Sequence, residues 1–327
     1  NMKENKKLCL VTYIRKNEIF TKELDEIAIF FENYMKKDFK VVICSEDDFH
    51  IENKDYEIEI FKCSGTKYKR LVSLMEKDTS EYYFSIDNDI LGNINKMKEF
   101  ISNIVNYNYE IGWGKIYANN VRGVISNMVA IDKLLSHNLI RPFLWKIGIG
   151  ISVPGQIFCI KSDSFRGKLL KLDTFLDDLA IGLYTNVKKK RKYIVSDILG
   201  YETANDTFKG LWKQRERWAV GYATILKEIF KQKEYRWKVL VHAISYHFLW
   251  LINWIFLFFI AKINLFFMFF YFILIGILIT KKNIKFLFPN FNKIENNITL
   301  NELFRDLPKL NAGEKLDFIS IKNKIIL

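Results

Sequence analysis

Three clusters of side chains in this chain have the types and spacing that chemistry requires. The first is Asp87-Asn88-Asp89. Two carboxylates one residue apart can bind a divalent cation, and hard oxygen ligands favour Mg²⁺ or Mn²⁺. The second is Asp177-Asp178, set in an otherwise apolar stretch with Phe175, Leu176, Leu179 and Ile181. Paired acids among apolar residues are expensive unless used or paired. Burial would raise such a carboxyl toward the range of a general base. The third is Gln214-Arg215-Glu216-Arg217-Trp218. On a helix Gln214, Arg217 and Trp218 share one face at i, i+3, i+4. Arg217 can clamp phosphate oxygens, and Trp218 offers a flat face for a sugar. Each cluster alone has a plainer reading: a solvated turn, a charge pair at a helix N-terminus, and a basic interfacial helix with a tryptophan anchor.

The elements that would position these clusters alternate along the chain. Residues 8–14 form an apolar run that suits a buried strand. Residues 21–37 show Leu24, Ile27, Phe30, Phe31 and Tyr34 at helical spacing, with Thr21 as N-cap. Strands are expected over 40–45, 58–63 and 82–86, and helices over 67–77 and 96–107. Strands separated by helices predict an α/β fold with a parallel, doubly wound sheet. Ligands of such sheets bind beyond the carboxyl ends of the strands, where Asp87 stands. Residues 108–165 are glycine-rich and predict a loop-rich, mixed segment with short strands such as 156–161.

The 327 residues are 50% hydrophobic and 16% aromatic, which excludes a disordered chain and allows a large α/β domain with an appendage. Four scattered cysteines and four histidines argue against a disulfide scaffold, a cysteine zinc site or a histidine-rich metal centre, and fit a reducing compartment. The apolar run 8–14 lacks the length and cleavage site of a signal peptide. Net charge is +13, and residues 186–238 hold fourteen Lys/Arg against six Asp/Glu. Directly after them, residues 239–280 carry a single charge, Lys262. Segments 239–261 and 263–280 each reach the length of a membrane span. Arg236 and Lys238 precede them, and Lys281, Lys282 and Lys285 follow, which puts both ends in the cytosol. The sequence therefore predicts a cytosolic catalytic domain over 1–235, a two-helix transmembrane hairpin within 236–282 and a cytosolic tail over 283–327. The basic run Lys188-Lys189-Lys190-Arg191-Lys192 then faces anionic lipid. No nucleic-acid motif is present.

Taken in order, Asp-x-Asp, an acidic pair, and Gln-x-x-Arg-Trp ahead of membrane segments, the clusters resemble the family 2 glycosyltransferases of the membrane synthase type. Cellulose, chitin and hyaluronan synthases and ceramide glucosyltransferase belong to that group. The resemblance covers roughly residues 8–280, and its most specific element is Gln214-Arg215-Glu216-Arg217-Trp218-Ala219-Val220-Gly221. It implies a GT-A, Rossmann-like nucleotide-sugar-binding domain and an inverting transfer from a UDP-sugar, dependent on Mg²⁺ or Mn²⁺. It also implies residue roles. Asp87 contacts the donor and Asp89 binds the metal. Asp178 is the base that deprotonates the acceptor, with Asp177 as its acidic neighbour. Gln214, Arg217 and Trp218 hold the diphosphate and the acceptor end. Thr12, Tyr13 and Glu46 meet the nucleobase, and Lys67 lies near the diphosphate. Gly155, ahead of Phe158 and Lys161, belongs to the acceptor-side segment.

The chain departs from the pattern in having Asp-Asp in place of Glu-Asp, no proline in the first strand, and Lys161 where arginine is common. Two membrane segments cannot enclose a polysaccharide path in one chain. Either several copies assemble, or the enzyme makes few transfers without export. The implied acceptor is a saccharide in polysaccharide synthesis, with a lipid-linked acceptor as the alternative. A reading of another class is a non-catalytic scaffold bound to anionic lipid.

Overall fold

The structure, a computed structural model, describes residues 6–119, 121, 123–187, 192–229 and 236–243, with the single positions 259, 262 and 266. The chain divides into two compact units, residues 1–239 with 325–327 and residues 240–324, and all three chemical clusters belong to the first. Most of the expected hairpin, the whole tail and Lys188 to Arg191 of the basic run lie outside the described residues. Among the described residues no helix is long and apolar enough to cross a membrane.

The strands are β1 (Leu8–Ile14), β2 (Phe39–Ser45), β3 (Ile58–Lys62), β4 (Tyr82–Ile86), β5 (Leu91–Gly92), β6 (Ile111–Asn119), β7 (Ile157–Lys161) and β8 (Tyr193–Thr203). The helices are α1 (Lys22–Met35), α2 (Lys67–Lys77), α3 (Ile94–Asn106), α4 (Gly123–Leu135), α5 (Arg141–Lys146), α6 (Ser162–Phe165), α7 (Asp177–Val187), α8 (Phe208–Ile229) and α9 (Arg236–Ala243). The strands form one sheet in the order β3-β2-β1-β4-β7-β6-β8-β5.

Every residue of β1, β2 and β4 is buried, as expected of parallel strands covered on both faces. Side chains alternate across the sheet with a period of two. Leu8, Leu10 and Phe84 pack with α1 and α3, whereas Cys9, Val11 and Tyr83 pack with α2, α7 and α8. Helix α1 starts where expected, because the Thr21 hydroxyl accepts the Leu24 N–H at 3.4 Å.

The four strands expected to be parallel are so, and the remaining strands make the whole sheet a mixed one. Strands β3, β2, β1 and β4 are mutually parallel, and β6 pairs in parallel with β8; β7 runs antiparallel to β4 and to β6, and β5 antiparallel to β8. The reason lies in where β7 enters. Ile157 at its start pairs with Ile86 at the end of β4, and the Asp87 N–H donates to the Gln156 carbonyl at 2.9 Å. A strand entered from the carboxyl end of its neighbour must run back along it.

Two glycines allow helices to approach backbone at the site. A Cβ on Gly182 of α7 would sit 2.3 Å from the Ile151 carbonyl oxygen, closer than any Cβ tolerates. A Cβ on Gly221 of α8 would lie 2.9 Å from Leu176 Cγ and 3.1 Å from its backbone nitrogen. Leu176 directly precedes the acidic pair, so α8 closes against the segment that delivers Asp177 and Asp178. We expect Gly182→Ala to cost about 1–3 kcal/mol through overpacking, read as lowered thermal melting by circular dichroism. Unchanged melting would contradict this close approach.

Candidate active site

The site lies at the carboxyl ends of β1, β2 and β4, and one arginine ties the first two of those ends together. Arg70, on the second turn of α2, is only 6% exposed. Its Nε donates to the Gly65 carbonyl at 2.8 Å, and Nη1 donates to the carbonyls of Ile14 and Cys44 at 3.3 and 3.4 Å. Its Nη2 pairs with Glu46 Oε1 at 2.8 Å, which also accepts the Gly65 N–H at 2.9 Å. The Gly65 N–H and then Arg70 hold the Glu46 carboxyl below the usual carboxylate range.

Lys67, the first residue of α2, stands between two acids from different elements. Its Nζ lies 2.7 Å from Asp87 Oδ1, just past β4, and 3.2 Å from Asp177 Oδ2, at the start of α7. It also donates to the Gly155 carbonyl at 2.5 Å and lies 5.1 Å from the centre of the Tyr13 ring. Burial opposes the lysine's charge, but Asp177 and Asp87 outweigh it and raise the Lys67 pKa. Asp87 is pushed up to about 6 by burial, relieved by Lys67 and reinforced by Asp177. Asp178 is pushed up to about 7, first by burial and then by the charge of Asp177, with Arg141 pulling against them. Its Oδ1 accepts the Leu179 N–H at 2.8 Å, which fixes the carboxyl at the first turn of α7.

The structure thus brings Lys67, Asp87, Asp177 and Gly155 into contact, with Tyr13 beside them and Asp178 next in line. The Tyr13 hydroxyl is hydrogen-bonded to Ser85 Oγ at 3.0 Å inside the core. Thr12 is 0% exposed, and among the described residues its hydroxyl has no hydrogen-bond partner. Asp89 is exposed, and its charge is felt by Asp87 and by Lys133.

On α8, Arg217 is exposed, and Gln214 and Trp218 are half-buried. Among the described residues neither Gln214 nor Arg217 forms a hydrogen bond or ion pair with Lys67 or the aspartates. Trp218 packs against the α2–α7 side of the core, with the Arg215 guanidinium 4.4 Å above its ring. Arg215 reaches Asp132 of α4 at 2.8 Å. The link from α8 to the acids runs through the backbone: Thr174 Oγ1 donates to the Gly221 carbonyl at 3.2 Å and accepts the Leu176 N–H at 3.2 Å.

Among the described residues no three His, Cys, Asp or Glu side chains group as a metal cage. The Asp87-Asn88-Asp89 turn offers two carboxylates, and Mg²⁺ is ordinarily held by one or two carboxylates together with substrate phosphates. Asp87, whose pKa is raised first by burial and then by the charges of Asp177 and Asp89, and the neighbouring Asp89 make a donor set that fits a hard divalent cation. Two features escaped the sequence reading. Arg70 has no role in it, although its place beside Leu71 and Leu74 on the inward side of the helix was a signal. Lys133, His137 and Arg141 are spaced i, i+4, i+8, a stripe that a helix places on one face.

Residues 89–281 match the family model described as Glycosyl transferase family group 2. No curated protein matches the chain. Among solved structures, S. aureus TarS 1-349 in complex with UDP is similar at a TM-score of 0.47 and 15% identity, over 74% of this chain and 72% of that one. Mannosyltransferase PcManGT from Pyrobaculum calidifontis in complex with GDP-Man and Mn²⁺ has a TM-score of 0.45 and 12% identity, over 68% and 65%. Glucosyl-3-phosphoglycerate synthase from Mycobacterium tuberculosis, in complex with Mn²⁺, UDP and phosphoglyceric acid, has a TM-score of 0.45 and 9% identity, over 65% and 75%. A longer S. aureus TarS is matched over only 43% of its length. At these scores the likenesses carry no inference about what this chain binds.

The raised pKa of Asp178 sets a sign for stability. A carboxyl whose folded pKa exceeds its unfolded value of ~3.9 contributes stability below that value and loses it as pH rises through about 7. We expect Asp178→Asn, in the presence of a chelator, to melt higher than the wild type at pH 8 and level with it at pH 4. An equal difference at both pH values would contradict the half-buried, charge-strained placement of Asp178.

Proposed function

Because this chain belongs to glycosyl transferase family group 2, we propose that it transfers a sugar from a UDP-linked donor to an acceptor hydroxyl with inversion, using Asp178 as general base. The observation that carries this reading is the Asp178 carboxyl, half-buried and pushed up to about 7 beside the Lys67–Asp87–Asp177 cluster. A base with a pKa near the working pH combines a useful deprotonated fraction with enough basicity to take a hydroxyl proton.

In this reading Asp87 contacts the donor, and Lys67 lies within reach of the diphosphate. Glu46, kept ionised by Gly65 and Arg70, accepts a hydrogen bond from the nucleobase. Asp89, with Asp87 beside it, would hold Mg²⁺ or Mn²⁺, which supplies charge neutralisation for the diphosphate leaving group. Arg217 adds a fixed positive charge at the same group, and Gln214 and Trp218 border the acceptor end. Asp177 keeps Lys67 and Asp178 at their mutual distances. Asp178 then takes the acceptor proton while the acceptor oxygen attacks the anomeric carbon from the face opposite the nucleotide.

The acceptor we propose is a saccharide in polysaccharide synthesis, at the cytosolic face of the cell membrane, with the 239–280 hairpin as anchor. A lipid-linked acceptor is favoured by one specific feature: Phe208, Trp212 and Trp237 are 66%, 64% and 51% exposed, close in sequence to the basic run and the hairpin. Amphipathic aromatics of this kind suit a membrane interface.

The test is UDP release by detergent-purified protein across a panel of UDP-sugars, with Mn²⁺ or Mg²⁺ and after chelation. Release with one sugar, abolished by chelation, is expected. Vesicle binding without any turnover would support a non-catalytic scaffold instead. Asp178→Asn should lower transfer by roughly 10²–10⁴-fold and leave UDP affinity intact, while Asp89→Asn should abolish metal-dependent donor binding. Equal loss of UDP affinity in both variants would refute this division. In the wild type, kcat/KM should rise as pH climbs through about 7 and then level off, as Asp178 loses its proton.

A further inference from the structure

Between α4 and α5 the helix widens into a five-residue π-helical turn, Ser136–Ile140. Such turns recur at functional sites because they displace side chains from the regular helical register. The turn is tied to β6 by a hydrogen bond from the Tyr117 hydroxyl to Asn138 Oδ1 at 3.0 Å. On this wall Lys133, His137 and Arg141 form a basic stripe, with Lys115 of β6 near enough for its charge to act on His137.

The cations of this stripe differ in how they are paired. Lys133 is bound to Glu202, which also accepts a hydrogen bond from Gln156 Nε2 at 2.8 Å. Lys115 feels Asp197. Arg141 forms no ion pair among the described residues. Its Nη1 faces the His137 ring, 3.1 Å from Nδ1, and its Nη2 is 3.5 Å from Ser152 Oγ. Its Nε is buried with no partner. The histidine is held neutral, since burial and the charges of Arg141, Lys133 and Lys115 all push its pKa well down. Among the described residues this guanidinium is hydrogen-bonded to neutral groups and to no carboxylate, although Asp178 is near enough to feel its charge, so it can still take an anionic ligand.

Its position says what that is. Arg141 acts on the charge of Asp178, and Lys133 on that of Asp89, so the stripe borders the gap between the base and the metal-side carboxylate. Ser152, which Arg141 touches, is fixed by its carbonyl accepting the Trp145 Nε1–H at 2.9 Å. Trp145 is in turn packed against Trp113 and Tyr193, with centroids at 4.8 and 5.1 Å. A stiff aromatic cluster therefore backs the wall that carries the free guanidinium.

We infer that Arg141, with Lys133 beside it, is a receptor for a phosphate group carried by the acceptor. The inference rests on the glycosyl-transfer reading for the word acceptor, but the anion site stands on its own geometry. A planar guanidinium can bind phosphate oxygens bidentately. Arg141, with no ion pair among the described residues, brings a charge that a phosphate uses and a neutral sugar does not, while the charge of Lys133 is already matched by Glu202.

The test is calorimetric titration of the detergent-purified full chain with sn-glycerol 3-phosphate and with glycerol, alongside a separate titration with UDP and Mn²⁺. The wild type should bind glycerol phosphate and not glycerol. Arg141→Gln should weaken that binding at least tenfold and Arg141→Lys by less, with UDP affinity unchanged in both. No binding by the wild type, or equal binding by Arg141→Gln, would overturn the site. A parallel loss of UDP affinity would also overturn it, by giving Arg141 to the donor diphosphate. Should Arg141→Gln fail to fold, the retained or lost binding of Arg141→Lys decides. Glycerol phosphate binding by a wild type that binds no UDP would defeat the glycosyl-transfer reading and leave the phosphate site standing.

Discussion

Lys67 is the charge on which the arrangement depends. Three carboxylates, Asp87, Asp177 and Asp178, converge from the end of β4 and the start of α7, and would repel one another without a cation among them. At about 3 Å and an effective dielectric near 20, each lysine–carboxylate pair gains roughly 5 kcal/mol. Removing each ion from water costs several kcal/mol. Two partners are therefore enough to hold Lys67 charged in a largely buried position. One lysine cannot also neutralise the third acid, and Asp178 is left short of positive charge. Burial and then the charge of Asp177 push the Asp178 pKa up to about 7, against the pull of Arg141 and Lys67.

The sheet converts sequence distance into this proximity. Parallel β1, β2 and β4 end together, Arg70 ties two of those ends to the turn before α2, and that turn sets Lys67 in place. The antiparallel return through β7 brings Gly155 and Gln156 past the Asp87 backbone. From the opposite side Gly182 and Gly221 let α7 and α8 close on Ile151 and Leu176. The motif-bearing helix α8 thereby braces the acidic pair through main-chain contact, while its own Arg217 stays exposed toward solvent.

What the sequence discloses here is what is local. The strand 8–14, the helix 67–77 and the Thr21 cap follow from apolar periodicity and side-chain capping, and the structure has them at those residues. The acids at 87, 89, 177 and 178 could be picked out because charge in apolar or strand-end surroundings needs a reason. Nonlocal facts were hidden. The direction of β7 depends on pairing with a strand some seventy residues earlier in the chain, and no nearby residue encodes it. Arg70 and Arg141 resemble ordinary helical surface charges until their partners are known. The hairpin reading, drawn from residues 239–280, concerns segments almost wholly outside the described residues.

The central claim is that Lys67 and Asp177 act as one unit in holding the site together. The measurement that meets it most directly is a double-mutant cycle at pH 7 of Lys67→Met and Asp177→Asn, read as apparent unfolding free energy of the full chain. Removing the lysine alone should cost about 3–5 kcal/mol, the typical loss when one partner of a buried pair is taken away. Adding Asp177→Asn to that background should restore stability, for a coupling of more than ~1 kcal/mol. Additive effects, within ~0.5 kcal/mol, would mean that the two residues do not depend on each other and that the site is held by something else.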